Sequence, residues 1–515
     1  MDTQYMHTGT PWDTVLLVCY YTCFLIVSLY GVHRLVMLYL FFRYRHRKPR
    51  SSGPPGGDWP RVTVQLPIYN ERFVVRRLLE SIAALDYPRD RLDVQVLDDS
   101  TDSTTQIAED CVRRLRAQGL DVSLVRRPNR NGYKAGALQN GLATAKGEFI
   151  AIFDADFLPA PEFLRVVLPH FSDCKVGMVQ VRWDHVNRGY SLLTRLQSVL
   201  LDGHLAVESP ARFFSGRFFN FNGTAGVWRR QTIEDAGGWQ HDTLTEDLDL
   251  SYRAQLRGWK FIFLSDHVCP AELPVEMNAF KTQQHRWTKG AVETALKLLP
   301  TVWRAQIPFL IKLEATVHLT SNFAYLLMVL VCLLLWPVIQ VREDGGYSIP
   351  AWIDLLMFVF ATLSVIAFYA IGQQQVTKDW VKRLQYIPLM MSLGIGLCIN
   401  NGKAVLEALL GRKSSFVRTP KVGVEQRGDR LLGRYSSLGG VAVTAAELMF
   451  AAYYAAVAAD CILSGNYLTI PFVLLFLFGF SYVGGLSLWS LLRRSAVVSE
   501  STAQSGDGVE VPVTQ

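Results

Sequence analysis

Two aspartates, Asp154 and Asp156, close the apolar run FIAIF at 149–153, and a second acidic pair, Glu246 and Asp247, stands at the head of TEDLDLSYRAQLRGW. In an extended tripeptide the first and third side chains point the same way, so both acids of a D-x-D pair can face one cation. Mg2+ and Mn2+ suit such a pair, because they take oxygen ligands and keep substrate phosphates in their shell. Acids that end a strand are also ordinary solvated turn residues. The pair needs company before it reads as a site.

That company stands at the ends of three other apolar runs. VTVQLPI leads into Tyr69 and Glu71, LDVQVL into Asp98, Asp99 and Asp102, and LDVSLVRR into a Gly-flanked loop with Arg130 and Lys134. A solvated turn explains one such cluster comfortably and four much less well. Lys134 can meet a diphosphate or a base carbonyl. Tyr69 can stack on a nucleobase, and Asp98 can hydrogen-bond to it. Together with a cation on the D-x-D pair, these groups describe a nucleoside diphosphate, and so an activated sugar. Neither GxGxxG opening a helix nor GxxxxGK[ST] occurs, which argues against a Rossmann dinucleotide or a P-loop triphosphate.

Inverting sugar transfer needs a carboxylate near the acceptor hydroxyl to take its proton as the bond forms. Thr245 reads as an N-cap that sets Glu246 and Asp247 in the first helical turn, where the dipole favours the ionised form a base requires. Acids are common at helix starts for that same reason, so position alone does not establish catalysis. In QQHRW, Arg286 can neutralise charge growing on a departing diphosphate. The indole of Trp287 suits the apolar face of a sugar ring; membrane-interface anchoring is its other reading, since amphipathic PTVWRAQIPFLIKL follows. His285 is assigned no proton. Asn222, Gly223 and Thr224 can line an acceptor site or simply form a tight Gly turn.

These groups need a frame. Between 61 and 300, short hydrophobic strands alternate with helical periods such as ERFVVRRLLESIAAL and TTQIAEDCVRRLRAQG. Such alternation predicts βαβ units, a largely parallel sheet and one α/β domain. In open sheets of this kind ligands sit beyond the carboxyl ends of the strands, which is where the acids fall.

On both sides of that domain the chain is apolar. Half of its 515 residues are hydrophobic and only 19% are charged. Runs 15–42, 316–341, 352–372, 438–463 and 467–491 are long enough to cross about 30 Å of hydrocarbon. The first lacks a small-residue cleavage site and exceeds a signal h-region, so 1–50 reads as a retained anchor, followed by a Gly/Pro/Ser linker at 51–60. Basic clusters at 43–50, 378–383, 412–434 and 493–494 flank the runs, which places 43–300 on the cytoplasmic side and the N terminus outside. Segment 384–410 is apolar but short and reads as interfacial or re-entrant, giving about five spans, four of them within 301–494. The polar end, 495–515, is expected to be disordered. The net charge of +7 belongs to these flanks, and no zinc-finger or RNA-binding signature accompanies it, so nucleic acid is not the expected partner. The eight cysteines are scattered and suggest neither a disulfide framework nor a metal site.

LPIYNE, LDDSTD, NRNGYKAGAL, FDADF, FNGTAGVWRR, TEDLDLSYR and QQHRW follow one another in this order. Together they resemble the membrane-embedded family 2 glycosyltransferases of the cellulose synthase, hyaluronan synthase and chitin synthase superfamily. Within it they are most similar to the cellulose-synthase-like A and C branch, which makes glucomannan and xyloglucan backbones, and to its bacterial relatives. The resemblance is dense over roughly 60–300 and looser to about 425. It implies a GT-A fold, Mg2+ or Mn2+, and inversion at the anomeric carbon.

It also implies roles. Tyr69 and Asp98 would face the uridine, within a donor site of Tyr69, Glu71, Asp98, Asp99, Lys134, Asp154, Gln283 and Arg286. Asp154 and Asp156 would serve the metal, Asp156 as the direct ligand. Asp247, beside Glu246, would be the general base, Arg286 would meet the diphosphate, and Trp287 would stack on the acceptor near Asn222, Gly223 and Thr224. SFVRTPK at 415–421 resembles the gating loop of processive synthases, with Val417 and Arg418 exchanged relative to the usual F-x-V-T order. The expected function is processive transfer from UDP-glucose or GDP-mannose to a β-linked polysaccharide that passes between the membrane helices. The expected location is a bacterial inner membrane or an equivalent such as the Golgi. The alternative is a glycolipid synthase adding one sugar to diacylglycerol, ceramide or another lipid. A non-catalytic scaffold or transporter would be free to lose Asp154, Asp156 and Asp247, and all three are present.

Overall fold

In β1 (Val62–Ile68), Val62, Val64, Leu66 and Ile68 alternate onto one face and join Val94, Val96, Phe149 and Ala151 in a buried cluster. The opposite face is polar yet buried, and its side chains pair across the sheet: Thr63 donates to Asp93 at 2.9 Å and Gln65 to Gln95 at 3.0 Å. The computed structural model describes residues 10–47, 49, 51, 58–343, 350–426, 429, 440–467 and 469–504.

Among the described residues seven strands form one sheet in the order β3-β2-β1-β4-β6-β5-β7. The others are β2 (Leu92–Asp98), β3 (Asp121–Arg126), β4 (Phe149–Ile152), β5 (Val176–His185), β6 (Gly226–Arg229) and β7 (Lys260–Ala271). Strands β1 to β4 are mutually parallel, as the alternation of strands and helices predicts, and β7 runs parallel to β5. Only β6 is antiparallel to its neighbours. Ile68, Asp98 and Arg126 stand in register, so the carboxyl ends of β1, β2 and β3 share one edge. This is the mostly parallel mixed sheet of a GT-A fold. Periodicity misses β6, which has four residues, and β7, whose apolar run Ser265, Asp266 and His267 interrupt.

Among the described residues five helices are long and apolar enough to cross a membrane: Pro11–Tyr44, Phe323–Glu343, Leu356–Val376, Val441–Leu463 and Ile470–Arg493. The first starts at a capping box in which Thr10 and Asp13 each accept from the other's backbone N–H. Segment 380–409 forms two helices bent by 43° at Leu397, a broken span or a re-entrant loop. The apolar run expected from 316 is divided, because Phe309–Thr320 is a helix of its own and the span begins at Phe323. Residues 495–504 continue the last helix to Gln504, where the sequence reading places an irregular tail; no Gly or Pro falls between 486 and 505 to stop it. Residues 505–515, 52–57 of the linker, and 427–428 and 430–434 of the gating-like segment lie outside the described residues.

The helix Met277–Arg304 joins the two halves. It carries Gln283, Arg286 and Trp287, packs on Cys398–Leu409, and is tied into the membrane helices by Lys281, whose ammonium donates to Glu447 at 2.8 Å and to Ser487 at 3.2 Å.

Candidate active site

A cavity of about 180 Å³ opens beyond the carboxyl ends of β1, β2 and β4. Tyr69, Glu71, Asp99, Lys134, Asp154, Asp156, Asn222, Gly223, Glu246, Asp247, Gln283, Arg286 and Trp287 all line it. Residues more than two hundred positions apart therefore meet on one edge, as the strand-end argument requires.

Lys134 is the hub. Its ammonium donates to Asp154 Oδ1 at 2.5 Å and to the Gly223 carbonyl at 2.9 Å. Burial would lower its pKa, but Asp154 and Glu246 outweigh burial and hold it above the ordinary lysine value. Thr224 is buried behind the wall, where its hydroxyl accepts the Asp154 N–H at 2.8 Å and fixes the end of β4. Asp156 accepts from Lys421 at 2.7 Å and from the Glu272 N–H at 3.2 Å, both on Oδ2.

Asp154 Oδ2 and Asp156 Oδ1 accept no hydrogen bond among the described residues, and no cluster of three or more metal-ligating side chains occurs there. Two carboxylates with free oxygens fit a hard cation that completes its shell with phosphate oxygens and water.

On the acceptor side, Asp247 follows Thr245 and Glu246 into the helix Glu246–Leu256. Burial, with Glu246 beside it, pushes the Asp247 carboxyl up to about 7, while Lys134 and the Leu248 N–H pull it down. The sequence expectation that the helix dipole would favour its ionised form is thus corrected: desolvation is the larger effect. Thr245 occupies the N-cap position, but its hydroxyl caps nothing and faces Thr294 at 3.3 Å.

The loop 412–426 reaches into the same cavity. Phe416 stacks on Tyr133 with ring centroids 5.6 Å apart, and the Arg286 guanidinium lies 4.3 Å from the Phe416 centroid. Arg418 clamps Glu71 with bonds of 2.8 and 2.6 Å. Burial pushes the Glu71 carboxyl up to about 7 against the opposing pull of Arg418.

Three expected donor residues, Asp98, Asp99 and Tyr69, are engaged by other groups of the protein. Asp98 is fully buried and does not line the cavity; its carboxylate accepts from Ser100 N–H at 2.9 Å and Thr105 Oγ1 at 2.7 Å, holding the turn after β2. Asp99 does line it but is clamped by Arg127 at 2.8 and 2.5 Å. The Arg130 guanidinium covers one face of Tyr69, 3.3 Å from the ring centroid. His285 faces Glu407 at 3.0 Å and is not a cavity residue.

Sequence reasoning did not assign Glu272, Arg418 or Lys421 to the site. Glu272 follows the interrupted strand β7, and the two basic residues come from the gating-like SFVRTPK, whose spacing was the one available signal.

A second cavity of about 1100 Å³ runs among the membrane helices and shares Asn222, Asp247 and Trp287 with the first. The mixed sheet and the acid-lined cleft at its strand ends define a GT-A glycosyltransferase fold joined to helices long and apolar enough to span a membrane. The family described as Glycosyltransferase like family 2 matches residues 60–290. Glucomannan 4-beta-mannosyltransferase 2 of Arabidopsis thaliana is 36% identical over 388 residues, 72% of this chain and 69% of that protein. The chain belongs to the family 2 glycosyltransferases, among relatives of the glucomannan mannosyltransferases. Glucomannan 4-beta-mannosyltransferase 7 of the same plant is 34% identical over 64% of this chain, which spans 62% of that relative's length. A solved mannosyltransferase of Pyrobaculum calidifontis, in complex with GDP-Man and Mn2+, is 23% identical, covers 78% of this chain and 99% of its own, and gives a TM-score of 0.48.

Proposed function

We propose that the chain is an inverting hexosyltransferase that extends a β-linked polysaccharide from a nucleotide sugar, with its α/β domain on the cytoplasmic face of a membrane. The observation that carries the reading is the position of Asp247 and Trp287, which line the donor cavity and the membrane cavity together. An acceptor end resting on Trp287 presents its hydroxyl to Asp247, and the chain behind it has about 1100 Å³ of space between the helices. A space of that size behind the proposed acceptor end supports an extended acceptor ahead of a single-sugar lipid product. The mannosyltransferase relatives support mannose as the transferred sugar ahead of glucose, and so GDP-mannose as the donor to test first.

In this mechanism Asp247 takes the acceptor proton as the new C1–O bond forms on one face of the sugar and the bond to the diphosphate breaks on the other. A carboxyl poised near neutrality suits that task. Arg286, which lines the same cavity, would meet the charge that develops on the leaving group, and Lys134 holds Asp154 in place. Asp154 and Asp156 are the residues that would hold a divalent cation, which would help neutralise the diphosphate.

The test is to give membranes containing the protein GDP-[14C]mannose or UDP-[14C]glucose, with Mg2+, Mn2+ or chelator, and to size and digest the product. The expected result is a cation-dependent, alkali-stable polymer cut by a β-mannanase. A product that is only an organic-extractable monoglycosyl lipid would overturn the polymer reading.

A further inference from the structure

The helix that begins at Leu192 is pressed against a membrane helix at Gly203, where a Cβ would meet the Tyr369 ring at 2.6 Å. Immediately after this contact the backbone forms a π-helical turn, His204–Glu208. Such turns re-aim the side chains that follow, and they concentrate at functional sites. Here His204 lines the membrane cavity and faces Asn222, which lines both cavities. Its Nδ1 lies 3.0 Å from Glu208 Oε2, and its Nε2 lies 3.4 Å from Asn222 Oδ1.

The brace behind His204 is continuous. Glu208 is paired with Arg212 at 2.7 Å, Arg212 donates to Glu314 at 3.0 Å, and His33 of the first membrane helix meets Glu314 at 2.9 Å. Burial would raise the Glu208 carboxyl, but Arg212 and His204 hold it well below the usual carboxylate range. A fixed anion therefore stands behind the imidazole.

Asn222 is held on its other sides too: its N–H donates to Gln180 at 3.1 Å and its side-chain oxygen accepts from Asn220 at 2.9 Å. Its amide nitrogen has no partner among the described residues. An unpaired amide beside Asp247 and Gly223 is a deficit that a sugar hydroxyl would make good.

Resting on the transferase reading above, we propose that His204 is a positioning residue: as the imidazolium it donates from Nδ1 to Glu208 and from Nε2 to Asn222 Oδ1, and so orients the Asn222 carboxamide for its N–H to donate to a hydroxyl of the terminal acceptor sugar. Its role is acceptor placement and not donor binding, since His204 lines the membrane cavity alone.

The full-length protein in nanodiscs tests this with a β-1,4-linked hexo-oligosaccharide as acceptor and GDP-mannose or UDP-glucose as donor. His204→Ala is expected to raise the acceptor KM about tenfold, as loss of one oriented hydrogen bond would. Donor KM and acceptor-free release of nucleoside diphosphate should stay within about twofold, which also reports that the protein is folded. His204→Gln, whose amide can still donate to Asn222, should recover most of the loss. Glu208→Gln, which unbraces the ring without emptying its place, should move the acceptor KM the same way.

An unchanged acceptor KM in His204→Ala, a donor KM that rises in step, or no recovery in His204→Gln would each overturn the proposal while leaving the transferase reading intact. A wild-type protein that neither releases nor transfers would overturn both.

Discussion

A Cβ added to Gly223 would lie 2.9 Å from Asp247 Oδ2 and 3.4 Å from Lys134 Nζ, on a backbone whose φ is +81°. The glycine is therefore required twice, once for a left-handed backbone and once so that the strand-entry loop can close on the proposed base. Gly223→Ala should cost roughly 1–2 kcal/mol in backbone strain and push the carboxylate off its line. Displacement of that order at a reacting group lowers turnover by about a hundredfold. Initial rates and a melting curve check this: the variant should stay folded, lose kcat, and keep its donor KM.

The raised carboxyl of Asp247 fixes a direction for pH. A base must be ionised, and burial with Glu246 alongside brings this group's pKa up to about 7. Activity present above that value is lost as pH falls through it. In a plot of kcat/KM, which reports the free enzyme, the slope should approach a decade per pH unit between about pH 5.5 and 7 and flatten above. Asp247→Asn should abolish turnover at every pH. A profile flat over that range in the wild type would show that another group takes the proton.

The strand-end acids were legible in the sequence for a simple reason: a short apolar run that stops at Asp or Glu marks both a strand and its carboxyl end, as with Asp154 after FIAIF. What such runs do not encode is direction. Asp98 and Asp99 are adjacent, yet one folds back on Ser100 and Thr105 while the other reaches the cavity and is met by Arg127. Partners supplied from far along the chain were the other gap. Lys421 reaches Asp156 across 265 positions, and no local period announces such a contact. Desolvation is equally silent, because the first-turn position of Asp247 speaks only of the helix dipole.

The clamp of Arg418 on Glu71 joins the loop 412–426 to β1 through a pair whose members are nearly excluded from water. Removing one partner leaves the other buried alone, which typically costs about 3–5 kcal/mol. Arg418→Ala should therefore free the loop, and trypsin should cut sooner at Arg412 and Lys413, both exposed. The Glu71 carboxyl, at about 7 with the clamp in place, would climb further without it. Glu71→Gln combined with Arg418→Met should be milder than Arg418→Ala alone. Equal cleavage rates in wild type and Arg418→Ala would show that the clamp does not hold the loop.

Lys281 and Glu447 set a comparable test inside the membrane half. The lysine sits two residues before Gln283 on the helix that carries Arg286 and Trp287, and both charges are fully withdrawn from solvent. Its own carbonyl accepts from Asn400 at 3.0 Å, so with Glu447 and Ser487 the same turn is anchored to three other helices. A buried ion pair is expensive to maintain and more expensive to break on one side. Lys281→Met or Glu447→Gln alone should lower the melting midpoint in detergent markedly, by the equivalent of about 3–5 kcal/mol. Replacing both with Met or Leu removes the charge along with its need for a partner, and stability should return to near the wild-type value. If the double variant is as unstable as the singles, packing volume at this crossing, and not charge pairing, is what the two residues supply. If it is stable but inactive, the pair sets the pitch at which Gln283, Arg286 and Trp287 face the cavity.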